Sequence, residues 1–95
     1  MKVHWTLTAE NQLRAIHDYI AQNSTVYALR LVDRLTRRSN QIAAFPMSGR
    51  RVPEFDNDRI REVFEGSYRL IYHIKADQID VICLLHSAME PFNQL

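Results

Sequence analysis

A change of hydrophobic period divides this chain at Pro46. Before it, apolar residues recur at spacings of three and four: Leu13, Ile16 and Ile20, then Ala28, Leu31, Val32, Leu35 and Ile42. That spacing puts them on one face of a helix. After the segment 46–58, three runs rich in β-branched and aromatic residues follow: Arg59 to Glu65, Tyr68 to Lys75 and Ile79 to His86. Such runs fit pleated strands. The two halves must fold as different structure and then cover each other, which predicts an α+β domain.

Local signals refine the boundaries. Lys2 to Leu7 alternates, with Val3, Trp5 and Leu7 set to one side and Lys2, His4 and Thr6 to the other, as in a half-buried strand. Thr8 can cap the first helix, with Glu10 in its first turn, where the helix dipole favours an acid. Asn23-Ser24-Thr25 interrupts the helical pattern and offers a second cap, so the helices form a hairpin. Pro46 disfavours helix at Phe45 and ends the second one. The stretch Pro46 to Asp58 reads as a loop carrying Arg50 and Arg51 exposed side by side. Gly66-Ser67 fits a two-residue hairpin turn with glycine first. The expected order is β-α-α-β-β-β, a helical hairpin packed on a small, mainly antiparallel sheet. One domain, 1–95, is expected, with a short irregular tail over 87–95.

The last strand poses a question. Strict alternation sets Ile79, Val81, Cys83 and Leu85 on one side and Asp80, Ile82, Leu84 and His86 on the other, and both sets are largely apolar. One helical hairpin covers one sheet face. The second face is therefore expected to be covered by chain on both sides of a central strand, or by a partner. The partner is the preferred expectation, since monomers seldom leave large apolar patches open.

Composition excludes several classes. With two glycines and three prolines among 95 residues, disorder and collagen-like repeats are excluded. One cysteine, Cys83, cannot form an internal disulfide. No apolar stretch approaches the ~20 residues of a membrane span. Met1 to Trp5 has no apolar signal region, so a cytoplasmic protein is expected, with no membrane partner. The four histidines are scattered without metal-ligand spacing, and two glycines cannot build a phosphate-cradling loop, so neither metal nor cofactor is expected. Net charge is +1, and ten of the twelve basic residues are arginine. This balance does not exclude nucleic-acid binding, but it lacks the strongly basic footprint such binders usually show.

One set of residues could carry chemistry: Arg50, Arg51, Arg61, Arg69, Tyr72 and His86. A metal-free ribonuclease needs a base for the 2′-OH and an acid for the leaving oxygen, one of which His86 could supply, and cations for the phosphate, which Arg61, Arg69 or the loop arginines Arg50 and Arg51 could supply. A two-residue turn at Asp77-Gln78 places Arg69 opposite His86 on one face. A three-residue turn at 76–78 places them on opposite faces. With Glu65 opposite Tyr68, Glu62 and Arg69 become diagonal neighbours, which predicts a plain cross-strand ion pair.

Several segments together resemble the RelE/ParE superfamily of bacterial toxins, over about residues 3 to 88. WTLTAENQLRAIHDYIAQNS with YALRLVDRL is similar to its strand and helical hairpin. FPMSGRRVPEF is similar to its P-x-x-G-R-x-x-P loop. IREVFEGSYRLIYHI and VICLLHSA are similar to its hairpin and closing strand. The resemblance implies the toxin of a type II toxin–antitoxin module, in a hetero-oligomer with a cognate, ParD-like antitoxin. RelE-type members cut mRNA on the ribosome. ParE-type members share the fold, lack that catalytic set and poison DNA gyrase. By resemblance, Arg69 sits where the nucleases carry a phosphate-binding Arg, and His86 where some carry a catalytic His. The next position, often a catalytic Tyr, is Ser87 here, and no tyrosine follows Tyr72. Many ParE-like relatives carry an Arg three residues after that His; here it is Met89. The reading is a ParE-like gyrase inhibitor with a role in plasmid stabilization. A RelE-like endonuclease and a diverged, non-toxic member are the alternatives. Ile82, Leu84 and neighbouring residues, or the groove on the helical hairpin, are the candidates for receiving the antitoxin's tail.

Overall fold

The computed structural model describes residues 1–87. The order is β1 (Lys2–Trp5), α1 (Leu7–Ala21), α2 (Thr25–Ala44), a 3-10 turn (Pro46–Ser48), β2 (Arg50–Arg51), β3 (Ile60–Glu65), β4 (Tyr68–Ile74) and β5 (Gln78–His86). The strands form one sheet in the order β1-β5-β4-β3-β2. β1 runs parallel to β5, and every other pair is antiparallel. The α+β class and the order of elements are as expected.

The first helix starts earlier than the alternation implies. Thr6, not Thr8, is its cap: its Oγ1 accepts the Ala9 N–H, and its own N–H and hydroxyl both donate to the Val81 carbonyl. Anchoring Thr6 to β5 ends β1 at Trp5 and turns Leu7 outward, 72% exposed. Ser24 caps α2 by accepting the Tyr27 N–H, and Pro46 follows directly after its C-cap, Phe45. Within the expected loop, the 3-10 turn and β2 are additional structure. Arg50 and Arg51 pair with Glu62 and Arg61 and lengthen the sheet by one short edge strand.

The first hairpin turn is as read. Glu65 pairs with Tyr68, and Gly66 takes φ +58, which an L side chain resists. The second turn is centred on Ala76-Asp77, since the Lys75 N–H donates to the Gln78 carbonyl, so neither expected turn forms. The β4–β5 register then shifts between Ile71 and Tyr72: Tyr72 faces Val81, whereas Ile71 faces Cys83. Ile82 is the extra residue, a β-bulge.

That bulge corrects the faces of β5. Ile79, Val81 and Leu84 pack under the helices with Leu31, Leu35, Ile42, Leu70 and Tyr72. Ile82, Cys83 and Leu85 lie on the other face with Val52, Phe55, Ile60 and Ile71. The second face is therefore covered largely by this chain's own segment 52–55, so of the two expectations the central strand covered on both sides is the one that forms, and no partner is needed to cover this face. Val52, Ile71 and Cys83 are fully buried there. A central β5, buried on both faces, explains its nearly continuous apolar sequence.

Candidate functional site

The bulge also separates the candidate residues. Arg69 pairs with Leu85 and His86 with Tyr68, so Arg69 and His86 point to opposite faces of the sheet. On the second face, the expected diagonal pair forms: Arg69 Nε donates to Glu62 Oε1 at 2.6 Å. Its two terminal nitrogens grip both oxygens of Glu54 at 3.0 Å. Arg50 Nε holds the other Glu62 oxygen at 2.7 Å and stacks over the Phe64 ring. Arg69 is 5% exposed and Glu62 1%. The bonds to Glu54 and Glu62 push the Arg69 pKa still higher, and the Arg69 fork holds Glu54 below the ordinary glutamate value. The fork that would bind a phosphate is thus already filled by carboxylates. This network fastens segment 52–55 to the sheet.

Arg61 and Tyr72 are cross-strand partners on the helix side, and both hold Gly49. Arg61 donates to the Gly49 and Asp58 carbonyls. The Tyr72 hydroxyl accepts the Gly49 N–H at 3.0 Å and donates to the Pro46 carbonyl at 2.6 Å. Tyr72 is fully buried, and burial raises its pKa. Gly49 is required for space rather than for backbone conformation, since a Cβ there would meet the Tyr72 hydroxyl and the Glu62 carbonyl. Arg51 is exposed and pairs with Asp56 and Asp58.

His86 lies in a different place. Its ring meets Tyr68 edge-on at 6.0 Å, and both line a groove of about 320 Å³. Gln12, Ile16 and Tyr19 of α1 form the other wall. Past Trp5, where β1 ends, the Gln12 amide oxygen takes the Leu84 N–H at 2.8 Å and stands in for the missing strand. Leu84 is 1% exposed and belongs to the core, whereas Ile82 is partly exposed on the opposite face. The two residues read as a shared antitoxin-facing surface therefore do not share a face. Cys83 is fully buried, and desolvation raises its thiol pKa, which disfavours the nucleophilic thiolate. Among the described residues, no three His, Cys, Asp or Glu side chains converge to hold a metal ion. No helix among them is long and apolar enough to cross a membrane. Met89 and the tail from 88 onward lie outside the described residues.

Sequence reasoning missed Glu54, which completes the Arg69 network from fifteen residues away, and the groove residues Gln12 and Tyr19. Gln12, Ile16 and Tyr19 recur at helical spacing, which was the available signal.

A helical hairpin on a five-stranded sheet, its second face closed by an arginine-anchored loop, defines a class of small α+β proteins. A family model described as "ParE toxin of type II toxin-antitoxin system, parDE" matches residues 3–91. The chain belongs to this ParE toxin family. Its fold is similar to a structure titled "Chromosomal ParDE TA system from P. aeruginosa", with TM-score 0.75 and 19% identity over 90% of this chain and 95% of that one. It is also similar to a "YoeB/ParE toxin from Agrobacterium tumefaciens", with TM-score 0.64 and 15% identity over 90% of this chain and 98% of that one. No curated protein matches the sequence.

Proposed function

We propose that this ParE-type toxin inhibits DNA gyrase by binding it, is neutralised by a cognate ParD-like antitoxin, and acts in the cytoplasm, where gyrase works. In this reading, it serves plasmid stabilization as the toxin of its module. The observation that carries the non-catalytic reading is the separation of Arg69 from His86. A ribonuclease needs its phosphate-binding cation and its proton-transfer group around one phosphate. Here the cation is enclosed by Glu54 and Glu62 on one face, and His86 stands on the other. Ser87, exposed beside His86, has no phenol to stack on a base.

The experiment is DNA supercoiling by purified gyrase, with and without this protein freed of antitoxin. The expected result is inhibition with accumulation of cleaved DNA. Unimpaired supercoiling, together with mRNA cleavage in translating ribosomes, would replace this reading with the RelE-like one. No effect in either assay would make the chain a non-toxic member.

A further inference from the structure

Four arginines of the loop and sheet are held by the protein itself, Arg50, Arg51 and Arg69 by carboxylates and Arg61 by two carbonyls, whereas the exposed Arg59 is not, among the described residues. Neither is a second set. Helix α2 carries Arg30, Arg34, Arg37 and Arg38, with Asp33 as its only acid. At helical geometry these four fall within an arc of roughly 100° and a length of about 12 Å. The buried residues Ala28, Leu31, Leu35, Ser39 and Ile42 occupy the adjoining arc, so Arg30, Arg34 and Arg37 face outward while Arg38, at the edge of the row, is partly buried. Arg30 and Arg34 are exposed, and among the described residues neither has an ion-pair or side-chain hydrogen-bond partner. Arg37 meets Asp33 at 3.0 Å but stays 76% exposed, and Arg38, partly buried, donates to Gln41 and acts electrostatically on the Tyr72 hydroxyl.

The row fits one kind of partner. Apolar side chains, Val26 and Tyr27, stand only at the N-terminal end of the row, so along the arginines themselves a folded protein would find few of the clustered anchors that carry such interfaces. Forked guanidinium groups one helical turn apart suit a regular array of phosphates. We propose that this face of α2 binds the phosphate backbone of duplex nucleic acid, with DNA as the source; the choice of DNA rests on the gyrase reading. The row would lay the toxin along DNA by charge alone, without reading sequence.

The test is fluorescence anisotropy of the purified chain with a labelled DNA duplex across 50–200 mM salt. Neutralising three to four phosphates gives a log–log salt slope of about −3, so affinity should fall roughly 40- to 150-fold over that range. The Arg30→Gln/Arg34→Gln variant should keep its circular dichroism spectrum, bind at least about tenfold more weakly at low salt and flatten the slope by about 2. An unchanged slope in that variant, or no binding at 50 mM salt, would overturn the proposal. Equal binding to polyglutamate would replace phosphate with an acidic polypeptide, and equal binding to an RNA duplex would remove DNA as the source. No gyrase is present in this assay. Supercoiling inhibition without DNA binding therefore sinks only the arginine row, and DNA binding without inhibition sinks only the gyrase reading.

Discussion

Replacing Arg69 with methionine tests the role of the second face most directly. The substitution keeps the apolar stem and removes the fork that holds Glu54 and Glu62. Breaking a buried ion pair by removing one partner costs about 3–5 kcal/mol, because the other charge stays buried. Two features lower that figure. Glu62 keeps its bond to Arg50, and the Glu54 side chain, 22% exposed, can turn toward water. The expected loss is therefore about 2–4 kcal/mol, a substantial part of the roughly 5–14 kcal/mol of a domain this size. It should lower Tm by about 10–25 °C. Urea unfolding should show a lower midpoint with the slope unchanged. Adding Glu62→Leu should recover much of the loss, since Arg50 is well exposed and an apolar pair can replace a buried ionic one. A loss below about 1 kcal/mol for Arg69→Met, or a double variant as unstable as the two single losses combined, would refute the view of Arg69 as a structural anchor. If the loss is as expected, inactivity of an Arg69 variant is assigned to catalysis only after its folded fraction at the assay temperature has been measured.

Three further outcomes are expected. Tyr72→Phe leaves the buried Gly49 N–H without its acceptor and should cost about 1–3 kcal/mol by urea unfolding; a neutral result would mean that water or a shifted loop satisfies Gly49. Glu54 and Asp80 are both held below their ordinary values of 4.5 and 3.8, by the Arg69 and Lys75 bonds respectively, so the unfolded chain takes up these protons first as pH falls. Their stabilisation should be fully present above about pH 5 and be lost as pH falls through their folded values; urea midpoints at pH 7, 5 and 3.5 check it, and a loss already complete by pH 5 would exclude these carboxylates as its cause. His86→Ala removes an exposed ring that packs edge-on against Tyr68, so stability should fall by no more than about 1.5 kcal/mol and growth arrest should persist; abolished toxicity in a folded variant would favour the ribonuclease.

Much of the architecture is local and was legible in order. Ser24 caps α2 because the hydroxyl and the N–H it accepts are three residues apart. Glu65 meets Tyr68 because a two-residue Gly-Ser turn leaves no other register. From that turn, the Glu62–Arg69 pair follows by counting, and the structure has it at 2.6 Å. The loop's short strand and the earlier cap at Thr6 were hidden, because both depend on strands distant in sequence: Arg50 on Glu62 and Thr6 on Val81.

The sequence by itself determined the period of each segment, the two caps' chemistry in kind, the first hairpin and the mainly antiparallel sheet. Only the tertiary structure decided which face each residue of β5 presents. The bulge at Ile82 inserts one residue into the ladder, and one residue is enough to move every later side chain to the opposite face. No residue near it announces the insertion, because it is the joint fit of β4 and the helices that selects it. That single step buries Leu84, sends Cys83 and Leu85 under the chain's own loop and parts Arg69 from His86.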